Sequence, residues 1–265
     1  DTTFVMMLEA QRRGHRLLYV DPSDLGVSDG GVVAQVSPVT VQREAGRHAE
    51  LGPGRFAVLD AEVDVVLQRV DPPVDAEYMV ATQILSLCRE ARVLNRPESI
   101  LSANEKLYAL NFADLMTDTL VTRDISQLMD FMAKLDGEMI VKPLDGRGGE
   151  GVFYLRNGDR NLRSILEQCT RFETRRIMAQ RYLPAVRQGD KRILMLEGEP
   201  LGALMRVPAE NETRANLHAG GHPTRTGLDE NDRRIIERLA PALRRDGLFF
   251  VGIDVIGGFL TEVNV

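Results

Sequence analysis

The stretch Lys142-Pro143-Leu144-Asp145-Gly146-Arg147-Gly148-Gly149-Glu150-Gly151, followed by Val152-Phe153-Tyr154-Leu155, decides how the chain is read. Gly146, Gly148 and Gly151 match G-x-G-x-x-G, but a dinucleotide fingerprint has to open a helix, and the residues that follow read as a strand. No Lys-Ser or Lys-Thr follows the glycines, which removes a Walker A loop. Neither H-R-D nor D-F-G follows, which removes a protein kinase. A glycine-rich hairpin preceded by a lysine remains. Its backbone N–H groups can fold over phosphates while Lys142 supplies a point charge, although a plain flexible turn uses the same residues.

Upstream of this loop, apolar spacing predicts a helix over Phe4 to Arg12, a strand over Arg16 to Val20 and a hairpin-like stretch from Val32 to Arg43. A strand over Val63 to Arg69, a break at Asp71-Pro72-Pro73, a long helix from Ala76 to Arg92 and a short apolar Val93-Leu94 follow. Helices alternating with buried strands predict a doubly wound parallel sheet for residues 1–104. Such a sheet normally opens with a strand, so a first strand is expected ahead of Asp1. Beyond Asn104 the pattern changes to short helices at Glu105 to Asn111, Ile125 to Leu135 and Asn161 to Gln168. Among them stand strands at Thr119 to Val121, Met139 to Lys142, Val152 to Leu155, Ile177 to Tyr182, Arg192 to Leu196 and Leu201 to Val207. Tight turns such as Glu197-Gly198-Glu199-Pro200 make this an α+β region. Asp229 caps a final helix running to Arg245, which leads into two strands around Gly257-Gly258.

Composition narrows the function classes. In 265 residues, 33 basic side chains against 39 acidic ones leave a net charge of −6, the wrong sign for a nucleic-acid protein. No apolar run reaches the ~18 residues that would span a bilayer, and Asp1 to Ala10 lacks a secretory signature. Cys88 and Cys169 make neither a disulfide framework nor a metal spacing. A cytoplasmic protein is expected. The absence of Trp also removes base-stacking platforms.

Asp254 and Glu262-Val263-Asn264 form a second constellation. A two-residue Gly-Gly turn pairs Asp254 with Thr261 and throws Glu262 to the opposite face. A three-residue loop, Gly257 to Phe259, pairs Asp254 with Glu262 and leaves Asn264 on the same face. The other face then carries Val251, Ile253, Val255 and Val263, as a core requires, which favours the longer loop. Two carboxylates and an amide suit Mg²⁺, which completes its shell with phosphates and water; solvated acids on an ordinary strand are the alternative. Cations lie between the two constellations: Lys106, Arg192, Arg206 and Arg214. The last sits in Glu212 to Gly221, a long polar glycine-terminated segment with the character of a lid.

Lys106, Lys142 with its glycine loop, Met178-Ala179-Gln180-Arg181-Tyr182-Leu183-Pro184, Gly189-Asp190-Lys191-Arg192 and Asp254…Glu262-x-Asn264, taken in order, resemble the ATP-grasp superfamily, and within it the bacterial glutathione synthetase family. Met7 to Gly14, Arg69-Val70-Asp71-Pro72-Pro73 and the Glu212 to Gly221 segment extend the resemblance over the whole chain. It implies an N-terminal pre-ATP-grasp domain over 1–104, a central ATP-grasp lid domain over 105–184 and a C-terminal ATP-grasp domain with the metal site over 185–265. It implies that Lys106 and Lys142 bind ATP phosphates under Gly148, Gly149 and Gly151. Gln180 and Leu183 would meet the adenine edge, largely by backbone, with Asp190 near the nucleotide. Asp254, Glu262 and Asn264 would hold Mg²⁺ or Mn²⁺. Arg192 would stabilise the transferring phosphoryl group, and Arg206, Arg214 and Asn216 would engage substrate and intermediate.

The implied reaction joins γ-glutamylcysteine to glycine through an acylphosphate, releasing ADP and phosphate, in a homo-oligomer. Another ATP-grasp ligase, joining glutamate or D-alanine, and a nucleotide-binding regulatory protein with a decayed site are the alternatives. The family also has a strand ahead of Asp1 and a stretch beyond Val265.

Overall fold

A computed structural model describes residues 2–71, 73–146, 148–209, 215 and 220–265. Contacts divide the chain into two units, residues 1–101 and 102–265.

The first unit opens with helix α1 (Thr2–Arg12) and strands β1 (Leu18–Tyr19), β2 (Leu25–Ser28), β3 (Gly31–Val41), β4 (Ala49–Leu51) and β5 (Arg55–Val58). The long β3 is the spine, and β1, β2, β4 and β5 all pair with it antiparallel. Its alternate residues Val32, Ala34 and Val36 enter a core with Ala57 and Leu59, which is the period-2 pattern of a half-buried strand. After α2 (Leu59–Glu62), strand β6 (Val65–Leu67) pairs parallel with β7 (Arg92–Leu94) across α3 (Ala76–Leu85); α4 (Pro97–Ser102) ends the unit. Parallel pairing among the described residues is therefore confined to β6 and β7, so the doubly wound parallel sheet expected over 1–104 is represented by this pair alone, beside a larger antiparallel sheet. The reason is local: Asp29-Gly30, both at positive φ, closes a tight hairpin that forces β2 and β3 antiparallel.

Helix α3 is also shorter than the periodicity predicts. It stops at Leu85, where the N–H groups of Leu87 and Cys88 turn to Ile84 O and Leu85 O, and beyond it the Asp60 carboxylate accepts from the backbone N–H groups of Arg89, Glu90 and Ala91 at 3.0–3.1 Å. Those donors cannot then continue the helix.

The second unit holds two sheets. Helix α5 (Glu105–Ala109) leads to β8 (Thr119–Thr122), α6 (Ile125–Lys134), β9 (Glu138–Pro143), β10 (Phe153–Arg156), α7 (Leu162–Cys169) and β11 (Ile177–Gln180). The strand order is β10-β9-β11-β8, and α6 and α7 cover the sheet through Leu128, Met132, Leu162 and Leu166. Strands β12 (Asp190–Leu196), β13 (Glu199–Val207), β14 (His222–Thr226), β15 (Phe250–Ile256) and β16 (Phe259–Asn264) form the other sheet, in the order β14-β13-β12-β15-β16. Periodicity gives no sign of β14, whose residues His222 to Thr226 are nearly all exposed.

Helix α8 (Glu230–Arg245) packs Ile235, Ile236, Leu239 and Leu243 against Ile193, Met195, Val251, Ile253 and Val263. Each such side chain contributes about 1.5–3 kcal/mol when fully buried. Asp229 and Asp232 form the capping box that starts it. This packing uses one face of β12 and β15, and leaves their other face for chemistry.

Candidate active site

The site is a consequence of strand register. Arg192 on β12 lies directly opposite Asp254 on β15, and Asp190 directly opposite Arg206 on β13. Period-2 alternation puts Asp190, Arg192 and Asp254 on the sheet face away from α8. There Arg192 grips Asp254, with Nη2 3.0 Å from Oδ2. Arg206 reaches both acids: its Nη2 is 2.9 Å from Asp254 Oδ1 and is also bonded to Asp190 Oδ2.

Asp254 meets Glu262, but not through the three-residue loop that the sequence favours. Gly257 and Gly258, at φ 58° and 83°, form a two-residue turn, and Val255 and Ile256 pair with Leu260 and Phe259 as that turn dictates. A bulge then inserts Thr261, so that Asp254 faces Glu262 and Gly252 faces Asn264. Thr261 secures the bulge by donating its hydroxyl to Asp254 O at 3.1 Å. The expected gathering of Asp254, Glu262 and Asn264 on one face is therefore present, and Val251, Ile253, Val255 and Val263 are in the core. Asn264 Nδ2 donates to Gly252 O at 3.1 Å and lies 3.4 Å from Asp254 Oδ2.

The two lysines arrive from other elements. Lys106 Nζ, on α5, is 3.7 Å from Glu262 Oε1 and donates to Gly146 O at 3.0 Å. Lys142 Nζ, on β9, is 3.4 Å from the same Glu262 oxygen. The glycine loop joins β9 to β10 as an antiparallel hairpin, with Gly148, Gly149 and Gly151 at positive φ. Gln180 is buried on β11 and spends its side-chain amide on Thr119 Oγ1 at 2.9 Å. Leu183 is half-buried just ahead of the short helical turn Pro184–Arg187. Arg214 and Asn216, and with them most of the expected Glu212 to Gly221 lid, lie outside the described residues.

Two contributors escaped the sequence reading. Glu105 is bonded to Lys106, and burial, then the Glu262 charge, push its carboxyl up from the ordinary range. Gly252 is the second. A Cβ there would sit 3.0 Å from Arg192 Cδ and Nη1, so only glycine leaves the arginine its seat. A glycine inside a strand is a sequence sign of such a close approach.

The cations of the site are neutralised within it. Lys106, Lys142, Arg192 and Arg206 are matched by Glu105, Asp190, Asp254 and Glu262. Buried cations without partners would carry a large desolvation cost. Burial favours the neutral form of Asp254, but Arg192 and Arg206 overcome it and hold the carboxyl below its usual value. Burial, reinforced by Asp254, pushes Asp190 up to about 7.

The profile of the prokaryotic glutathione synthetase ATP-grasp domain matches residues 105–265, and that of the N-terminal domain of the same family matches residues 1–100. The chain belongs to the prokaryotic glutathione synthetase family. A glutathione synthetase of Mesorhizobium japonicum is 46% identical over 266 residues, covering 100% of this chain and 84% of that protein. Among solved structures, a RimK domain ATP-grasp protein of Sphaerobacter thermophilus shares the fold with a TM-score of 0.60 at 18% identity, covering 97% of this chain and 85% of that one. The ATP-grasp ligase PsnB, complexed with a phosphomimetic variant of minimal precursor, Mg and ADP, has a TM-score of 0.61 at 17% identity, covering 100% of this chain and 86% of that one. The fold is therefore ATP-grasp, and this glutathione synthetase family chain is a ligase. Enzymes of that fold work with ATP and divalent metal ions.

The residues present fit both. Among the described residues, buried Asp190 Oδ1 and Arg206 Nε have no hydrogen-bond partner, an unusual situation that suits a polar ligand arriving beside them. The donors Asp254, Glu262 and Asn264 are hard oxygen ligands on one face. Among the described residues no cluster of three or more Asp, Glu, His or Cys is arranged for a metal. A cation held here would have to share its shell with phosphate and water, which is the habit of Mg²⁺. No described helix is long and apolar enough to cross a membrane.

Proposed function

We propose that this chain ligates γ-glutamylcysteine and glycine to glutathione at the expense of ATP, through an acylphosphate. The observation that carries the reading is the convergence of Lys106, Lys142, Arg192 and Arg206 on the Asp254–Glu262 hairpin, with the glycine loop beside Lys106. A carboxylate is a poor acyl donor, so the cysteine carboxylate first attacks the γ-phosphorus of ATP, expelling ADP. The glycine amine then attacks the acyl carbon and phosphate leaves with its electron pair. Phosphoryl transfer asks a protein for positioning and charge neutralisation rather than for a nucleophile. That requirement matches a site made of cations, oxygen ligands and glycines.

In this reading Lys106 and Lys142 neutralise the nucleotide phosphates beneath Gly148, Gly149 and Gly151. The Gln180 and Leu183 backbone meets the adenine edge, and Asp190 lies near the nucleotide. Arg192 stabilises the charge that develops on the transferring group, while Arg206, Arg214 and Asn216 engage substrate and intermediate. Asp254, Glu262 and Asn264 would hold Mg²⁺ or Mn²⁺, which would supply positive charge against the transferring phosphoryl group. A closed cover over the site keeps water from the acylphosphate. The enzyme works as a homo-oligomer in the cytoplasm.

A coupled assay of ADP release tests the assignment. Release should require both γ-glutamylcysteine and glycine; equal release with glutamate or D-alanine pairs would transfer the chain to another ligase activity.

A further inference from the structure

Asn104 stands where the lysine helix and the glycine loop come together, and its side chain serves both. Its Oδ1 accepts from the backbone N–H groups of Lys106 and Leu107 at 3.1 and 3.0 Å, capping α5. Its Nδ2 donates to Leu144 O at 2.8 Å, at the start of the glycine loop. Two residues on, Lys106 Nζ donates to Gly146 O at 3.0 Å. The loop is thus held to α5 at two carbonyls, and only one of those bonds uses a group that ATP phosphates would also want.

We propose that Asn104 is a positioning residue for nucleotide binding: it holds the root of the glycine loop against α5, so that Lys106 and the loop present a preformed phosphate site. This rests on the reading of Lys106 and the loop as the site of the ATP phosphates. When Lys106 exchanges the Gly146 carbonyl for a phosphate oxygen, the Asn104–Leu144 bond remains and keeps the loop in place. Asn suits the position because it alone combines a capping oxygen with an N–H donor on one short side chain. Ser or Asp at a helix N-cap satisfies the helix as well, but Asp has no donor, and the Ser hydroxyl ends one bond short of the Nδ2 that reaches Leu144 O. An anchored loop does not have to be ordered anew each time nucleotide binds, and the saving appears as affinity.

The two functions of the side chain can be separated. Asn104→Ser and Asn104→Asp keep the cap and lose the amide donor, whereas Asn104→Ala loses both. In the ligand-free protein, tryptic cleavage after Arg147, followed by mass spectrometry, reads the loop without reference to ATP. Binding of a non-hydrolysable ATP analogue with Mg²⁺, and the KM for ATP against kcat, read the site. Loss of one hydrogen bond of about 1–1.5 kcal/mol predicts a rise of roughly five- to tenfold in cleavage after Arg147 for the Ser and Asp variants. Cleavage elsewhere should keep the wild-type rate and the melting temperature should hold. Analogue affinity should fall and KM for ATP rise by a similar factor, with kcat at saturating ATP retained. Asn104→Ala should show the same loop effect and melt lower.

Wild-type cleavage and wild-type affinity in Asn104→Ser would overturn the proposal, as would loop cleavage that rises only in step with general unfolding. If the wild-type protein fails to bind the analogue, the assignment of function and the nucleotide-positioning role both fall, and the cleavage comparison still decides whether Asn104 anchors the loop.

Discussion

Arg192 and Asp254 face each other across two paired strands, and the guanidinium lies along the carboxylate with Nη2 3.0 Å from Oδ2. This pair joins the residue assigned to the transferring phosphoryl group to a residue assigned to the metal. Neither position can move without the other. Burial opposes the charge on Arg192, but Asp254 more than compensates, so the guanidinium stays protonated at every pH the protein meets.

Arg192→Ala should therefore remove transition-state stabilisation rather than nucleotide affinity. A fall of about 10²–10³ in kcat with little change in KM for ATP is the expected outcome, read by steady-state kinetics. An unchanged kcat would show that Arg192 is only structural.

Gly252→Ala tests the same pair from behind. The new methyl would crowd the far end of the Arg192 side chain at 3.0 Å, which can yield at little cost to the fold. The melting temperature should fall only modestly, because Arg206 still holds Asp254, while kcat falls roughly ten- to hundredfold as the guanidinium is displaced.

The pH dependence of stability follows from Asp190. With its carboxyl pushed up to about 7 by burial and by Asp254, the folded chain keeps a proton that the unfolded chain releases above about pH 4. The ligand-free protein should lose stability as pH rises from about 4 to 7, and Asp190→Asn should flatten that part of the curve. Asp254 works the other way and lower down: held below its usual value by two arginines that outweigh its burial, it contributes stability that is lost as pH falls below about 4. Thermal melts of both proteins across this range are the measurement.

On the opposite face of β12, Lys191 donates to Asp229 Oδ2 at 2.8 Å and is bonded to Asp232, which is almost wholly buried. Lys191→Met would leave that carboxylate without its cation, at a cost of about 3–5 kcal/mol in denaturant unfolding. Lys191→Met combined with Asp232→Asn should recover part of the loss, since the buried charge goes with its partner.

How far these features could be read in the sequence depends on how local their causes are. The Asp229 N-cap, the glycine hairpin after Lys142 and the apolar face of β15 are short-range patterns, and each was legible. The end of α3 at Leu85 was not, because Asp60, some thirty residues away, takes the N–H groups that would have extended it. The meeting of Asp254 with Glu262 was anticipated through the wrong device: hydrophobic alternation identified the pairing, but nothing local announces that Thr261 bulges. The pairing of the cations with carboxylates was likewise hidden, since strand register sets Asp190 against Arg206 and the meeting of two sheets sets Lys142 against Glu262.

The acylphosphate is the centre of the account, and oxygen transfer tests it most directly. γ-Glutamylcysteine labelled with ¹⁸O in its cysteine carboxylate should pass one labelled oxygen to each inorganic phosphate released with glutathione. Unlabelled phosphate from labelled substrate would mean that the carboxylate is never phosphorylated, and would contradict the mechanism.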